Sequence, residues 1–252
     1  MNPLVRLVYR NLRANLDKAS LFFELIFPLF FIVQGYAVGS IIPPFALEGG
    51  KEITYPLFLA AGAVTLTVIN GGTNAGTQLW FDRKNGMFEQ ILMGPFNRAQ
   101  YILSIILATL IIGIAGSLIV FVFVLPVLGA GLSLTVGGAL LVAAALFLGT
   151  MFFGGFAITL SVLLRSSETF QIVSTFIFFV FLFTSSVFYP ITPKTPYAIQ
   201  VISSGNPLTY TTDLFRAGLF DLPTPGLEIL TLGVEAATIF IVAVVMFRRI
   251  RV

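Results

Sequence analysis

Asn70, Asn74 and Gln78 recur every four residues inside an otherwise apolar stretch, which puts three amides on one face of a helix. Thr67, Thr73 and Thr77 lie in the same stretch. Amides in hydrocarbon need a partner or water. This face is therefore either glue between helices or the wall of a water-accessible translocation path. A second feature is aromatic. Phe176, Phe178, Phe179, Phe181 and Phe183 crowd one stretch and are followed by Thr184, Ser185 and Ser186. Such rings face lipid or neighbouring helices, or some of them, Phe179 and Phe183 foremost, line a cavity for an apolar substrate.

Acid–base and nucleophilic chemistry has little to work with. The chain has neither histidine nor cysteine, which removes thiolate nucleophiles, disulfides and His-based metal sites. Gly50-Lys51 is followed by Glu52, so no phosphate-cradling G-x-x-x-x-G-K-S/T loop is present. H-E-x-x-H and G-x-S-x-G are also missing. Carboxylates within apolar stretches are Glu24, Glu228 and Glu235. Each is a functional candidate by default. Glu24 and Glu228 sit near stretch ends, where the interface accounts for them; Glu235 lies deeper, but one carboxylate does not make a proton relay.

The segment from Asp82 to Pro95 is charged and amphipathic, and it separates two long apolar runs. Met87, Phe88, Ile91 and Leu92 form one helical face; Asp82, Arg83, Lys84, Glu89 and Gln90 form the other. Exposed apolar residues at helical spacing should be covered by something. They lie flat on a membrane or enter a groove on a partner protein, with Glu89 and Arg83-Lys84 setting register. Gly94-Pro95 stops the helix. Such a segment, in a chain with no nucleotide-binding motif of its own, suggests a membrane subunit driven by a separate soluble motor.

The elements that must position these residues follow from composition. Of 252 residues, 57% are hydrophobic and 10% charged, against about 25% charged in soluble domains. One span needs roughly 20 apolar residues. The predicted fold is an all-α membrane protein with six transmembrane helices, near 20–42, 55–79, 99–128, 134–164, 169–189 and 227–247. Residues 3–19 predict an amphipathic interfacial helix, with Arg6, Arg10, Arg13 and Asp17 on one face and Val5, Val8, Leu12 and Leu16 on the other. The apolar run after it is too long for a cleaved signal. Domain organisation is thus an interfacial helix over 1–19 and a transmembrane domain over 20–252. Within that domain lie a cytosolic loop at 80–98 and an extracytoplasmic, proline-rich segment at 190–226. With the N-terminus inside, eleven of fourteen lysines and arginines are cytosolic; Lys51, Lys194 and Arg216 are the exceptions. Gly35/Gly39 and Gly72/Gly76 are small-xxx-small pairs of the kind that permits close helix packing.

Three stretches resemble the ABC-2 family of ABC transporter permeases, its drug-export branch most of all. They are the basic N-terminus leading to Phe27-Pro28-Leu29, the loop Gly86-Met87-Phe88-Glu89-Gln90-Ile91-Leu92-Met93-Gly94-Pro95, and Ser186-Val187-Phe188-Tyr189-Pro190-Ile191 followed by Asn206-Pro207-Leu208-Thr209-Tyr210. The loop is similar to the family's G-x-x-E-Q-L-L-x-x-P; Met87-Phe88 and Met93-Gly94 depart from it. The resemblance implies two permease copies, or this chain and a close relative, paired around a central path. Each would dock on an ATPase subunit through Arg83, Lys84, Met87, Phe88, Glu89, Ile91 and Leu92. It implies ATP and Mg on that partner and no cofactor here, and a re-entrant hairpin near 193–222 carrying Asp213 and Arg216. Expected cargo is an amphipathic or hydrophobic drug, natural product or lipid; no nucleic acid is expected. Export of a lipid-linked glycan, an intramembrane enzyme using Glu24, Glu228 or Glu235, and a non-transporting assembly subunit are the alternatives.

Overall fold

The computed structural model describes residues 3–15, 18–47, 50–94, 96–128, 132–164 and 166–248. Leu16, Asp17, Glu48, Pro95, the Gly129-Ala130-Gly131 turn, Arg165 and the tail from Arg249 lie outside them, as do the side chains of Lys18, Glu24, Leu92 and Arg248. Helix α1 (Pro3–Asn15) is followed by α2 (Lys18–Gly39), and two short antiparallel strands, β1 (Phe45–Ala46) and β2 (Glu52–Ile53), lead into α3 (Tyr55–Lys84). Then come α4 (Met87–Met93), α5 (Arg98–Leu128), α6 (Val136–Leu163), α7 (Ser167–Phe183), α8 (Tyr197–Ser203), α9 (Pro207–Phe220) and α10 (Gly226–Arg248).

Among the described residues four helices are long and apolar enough to cross a membrane: Tyr55–Lys84, Arg98–Phe123, Val136–Leu163 and Gly226–Phe247. The stretch expected as the first span lies in α2, a helix of 22 residues, and the stretch expected as the fifth is an apolar helix of shorter reach, Ser167–Phe183. Helix α7 has 17 residues, so it is about 25 Å long against a hydrocarbon core of about 30 Å. It ends at Phe183 rather than 189 because Thr184 and Ser185 turn their hydroxyls back onto the Val180 and Leu182 carbonyls. The all-α expectation holds apart from the two-residue strands.

Local chemistry explains the helix ends. Thr135, Ser166 and Asn206 accept hydrogen bonds from the backbone N–H of Gly138, Thr169 and Leu208, capping α6, α7 and α9. Asn97 and Gln100 bond reciprocally, side chain to backbone N–H, before α5. Pro56 and Pro207 occupy first-turn positions of α3 and α9, where their missing N–H costs nothing. Lys51 closes the other end of α9: its ammonium donates to the Phe220 carbonyl and the Ser133 hydroxyl, both at 2.7 Å.

Helix α3 is the axle. It is buried along most of its length and packs against α2, α5, α6 and α9. The apolar interior forms two clusters. One surrounds Phe58, Leu66, Phe153, Phe215 and Phe220. The other surrounds Leu79, Phe88, Tyr101, Ile105 and Phe247, at the end where α1, the α3–α4 turn and the end of α10 meet. The small-xxx-small expectation is met at Gly72 and Gly76. A Cβ on Gly72 would fall 2.5 Å from the Phe153 Cβ, and one on Gly76 would fall 2.6 Å from the Ala157 carbonyl. Between α6 and α9 the fit is tighter still: a Cβ on Gly138 would meet the Gly218 carbonyl at 2.2 Å.

These crossings predict that Gly72→Val and Gly218→Val each destabilise the chain by about 1–3 kcal/mol through overpacking. Gly233→Ala, with open space at its Cβ, should be silent. Thermal unfolding of the three variants in detergent, followed by size-exclusion chromatography, checks this.

Candidate functional site

At the basic end, α3 carries helical geometry through Trp80–Lys84, five residues that the sequence places in a loop. Asp82 therefore sits on α3 and is buried, at 6% exposure. Two helices converge on it. Arg10 of α1 forms an ion pair with one carboxylate oxygen, and the Tyr101 hydroxyl of α5 donates to the other at 2.7 Å. Around one helical turn away, Asn11 repeats the arrangement. Its amide donates to the Ser104 hydroxyl of α5 at 2.9 Å and accepts from Gln78 of α3 at 2.7 Å. Asn15 donates to Gln78 at 2.6 Å. Charge-assisted and amide bonds of this kind are strong where water is excluded.

The amphipathic reading of α1 needs a different rotation. Leu7 and Asn11 are the buried residues, while Val5 and Tyr9 are exposed beside Arg6 and Arg13. Polar residues, not only apolar ones, face the bundle. Gln78 consequently belongs to the glue between helices. Asn70 and Asn74 do not: both are half-buried, and neither side chain forms a hydrogen bond among the described residues. Thr73 and Thr77 return their hydroxyls to the α3 backbone. A polar stripe on this half of α3 thus remains unmatched by the described chain.

Helix α4 turns its apolar face inward. Gly86, at φ 68°, makes the left-handed corner that reverses the chain. Phe88 is 1% exposed, with its ring 5.5 Å from Tyr101 and 5.3 Å from Phe247; Ile91 is also buried. The expectation of Phe88 and Ile91 as exposed residues is corrected: the protein's own α5 and α10 cover them. Lys84, Asn85, Met87, Gln90 and Met93 make the outer rim, with Glu89 half-buried. Arg83 reaches across to the Ser161 carbonyl of α6 at 3.1 Å and stacks near Trp80. The side chain of Leu92 is outside the described set.

The phenylalanines of α7 divide. Phe178 packs near Phe27 of α2, and Phe181 makes edge contacts with Phe152, Phe153 and Phe156 of α6. Phe176, Phe179 and Phe183 face outward, the last two stacked 6.0 Å apart.

At the opposite end, Arg216 of α9 is buried. It donates to the carbonyls of Ser186, Val187 and Phe58 at 2.8–3.0 Å, lies 3.5 Å over the Phe58 ring, and contacts Asp213 at 3.4 Å. A guanidinium in so dry a place is costly unless saturated; the carbonyls, the ring and the carboxylate meet most of that demand. Gly62 leaves the room for it. A cavity of about 270 Å³ opens beside this arginine, lined in part by Asp213, Pro190, Pro193, Pro223 and Glu228.

Asn11, Tyr101, Ser104 and the inward role of Asp82 are absent from the sequence-based reading. The signal available was a polar Asn on the mainly apolar side of α1. Its partners lie 67 and 93 residues away, and no local pattern reveals them.

The model of one protein family, described as ABC-2 type transporter, matches residues 5–220. No curated protein matches the chain closely enough to refine that finding.

Arg216→Met leaves three buried carbonyls without their donor, each worth about 1–3 kcal/mol. It should lower the melting temperature and open the 184–222 segment to limited proteolysis. Arg216→Lys should recover part of the loss. Unchanged melting of Arg216→Met would contradict the pinning role.

Proposed function

The chain belongs to the ABC-2 type transporter family, and on that premise we propose that it exports amphipathic or hydrophobic compounds across the cell membrane. It is the permease subunit of an ABC transporter, a transport subunit whose family works with an ABC ATPase. In the proposal, two permease copies, or this chain and a close relative, pair around a path. The basic end, with both termini, faces the cytosol, in keeping with the lysine and arginine bias. ATP and Mg act on two ATPase subunits, not here. Pro193–Leu222, with α8 and α9, re-enters the membrane from the outer side.

The single observation that carries the reading is the two-sided build of α4. Its inner residues Phe88 and Ile91 are seated among α5 and α10, while Lys84, Met87, Gln90 and Met93 are presented outward. A groove on the ATPase gripping that rim would move α4, and a close-packed interior transmits the displacement to α5 and α10. Arg83 and Glu89 set register in this scheme. The anchors differ from those the sequence suggests: Phe88 and Ile91 receive the push, and the rim residues make the contact.

Asn70 and Asn74 of α3, together with the outward rings Phe179 and Phe183 of α7, are proposed to line the path. Amides with no partner among the described residues suit the polar part of a cargo, and phenylalanines suit its apolar part. Switching from inward to outward access requires cargo and nucleotide to favour different conformations. An aromatic, amide-bearing wall supports a drug, natural product or lipid over a glycan, whose hydroxyls would demand more polar partners.

The test separates rim from seat. Lys84→Glu combined with Met87→Ala and Met93→Ala should cut recovery of the co-expressed ATPase by detergent pull-down about tenfold, on the order of 1.4 kcal/mol, with melting unchanged. Phe88→Ala should instead destabilise the chain by about 3–5 kcal/mol. Stoichiometric recovery with the triple rim variant would sink the docking claim. ATP-dependent accumulation of a fluorescent amphipathic dye in inverted vesicles then checks cargo class and direction.

A further inference from the structure

The joint at Asp82 has a construction that docking alone does not require. An interfacial helix held by its apolar face can slide and rotate, because hydrophobic contact is non-directional. Helix α1 is held differently. Its Arg10 and Asn11 enter two successive polar layers, each of which also engages α3 and α5: Arg10–Asp82–Tyr101 in one, Asn11–Gln78–Ser104 in the other. Hydrogen bonds are directional, and two layers of them fix rotation as well as position. The first layer centres on a buried carboxylate only a few residues before the Gly86 corner into α4. Tyr101 links the joint to the seat of α4, since its ring contacts both Phe88 and Phe247.

We propose that Asp82 is a positioning residue that makes α1 a rigid extension of the α3–α4 segment, so that α1 moves with α3 and α5 when the partner ATPase displaces α4. The motion in this proposal rests on the ATPase-driven reading above. Neutralising Asp82 leaves the apolar contact of Leu7 in place but removes the ion pair and weakens the Tyr101 bond. Helix α1 then stays bound without staying in register. Its outer face, with Val5, Arg6, Tyr9 and Arg13, would no longer follow the driven helices.

The absence of native cysteine permits a direct test. Tyr9→Cys and Phe81→Cys, both on exposed positions, carry two spin labels on the full chain in nanodiscs with its ATPase. Pulsed EPR measures their separation without nucleotide and after trapping with ATP and vanadate. The parent pair should give one narrow distance, the same in both states. Asp82→Asn should widen the distribution and add a second, longer population. Tyr101→Phe, which keeps the ring against Phe88 and Phe247, should do so less. Exchanging the charges, Arg10→Asp with Asp82→Arg, should narrow it again, which a general loss of packing would not allow. ATP hydrolysis in the same nanodiscs should respond to the permease in the parent and the exchanged pair, and lose that response in Asp82→Asn. A parent distance that changes on trapping would overturn the proposal, as would an Asp82→Asn distribution as narrow as the parent's. If no ATPase assembles with the chain, the driven-subunit reading falls instead, and the width measured on the free chain still decides whether Asp82 holds α1.

Discussion

A helix crossing an apolar environment must have its polar side chains satisfied by other helices or by whatever occupies the space beside it. Helix α3 is where that constraint bears hardest. It is the most enclosed of the four membrane-length helices, and it carries threonines, amides and a carboxylate along its length. Thr65 meets Thr212 of α9 at 2.9 Å, Thr67 meets Ser117 of α5, Gln78 meets Asn11, and Asp82 meets Arg10 and Tyr101. Each polar residue thereby names a neighbour, and the neighbours together define the order of helices around the axle. Glycines set how closely those neighbours approach. Gly72 and Gly76 bring α6 into backbone contact.

The two ends of α3 are built by opposite means. At the basic end a carboxylate is the hub and draws cationic and hydroxyl donors from α1 and α5. At the other end the hub is a cation: Arg216 gathers carbonyls from α3 and from the turn after α7. The first joint ties an outlying amphipathic helix to the bundle. The second ties α9 to α3 where the chain has left regular helix, and free carbonyls are available there for that reason. Where neither device operates, Asn70 and Asn74 have no side-chain partner among the described residues. That gap is the physical basis for the path proposed there.

Helix α4 shows how amphipathicity can mislead about function while remaining correct about structure. Phe88 and Ile91 do share a buried side, while Met87 lies on the exposed one. Phe88 packs against Tyr101 and Phe247, with Ile91 in the same cluster, so in the proposed docking a partner would meet the rim instead. The energetics favour this. Burying a phenylalanine contributes about 1.5–3 kcal/mol, and the chain's own aromatic residues compete successfully for it. Under that proposal, a push on the rim would be a push on the core.

Composition and periodicity alone determine that this chain is a helical membrane protein. Apolar runs long enough to span exclude a soluble fold, while Pro207, Asn206 and Gly86 mark the ends of their elements by chemistry that acts within a few residues. The resemblance carried by Gly86–Pro95 and Asn206–Tyr210 led to the right family for the same reason, since caps and turns are local. Only tertiary structure decided which face of each helix is covered, and by what. Periodicity shows that Asn70, Asn74 and Gln78 share a side; it cannot show that Asn11 reaches the third and leaves the others open. Nor can it show that α3 runs on past Leu79 and carries Asp82 into the interior. Arg10 and Asp82 are 72 residues apart, and their meeting depends on how α1, α3 and α5 stack. That stacking follows from side-chain volume and glycine contacts summed over the whole bundle, which no single stretch of sequence contains.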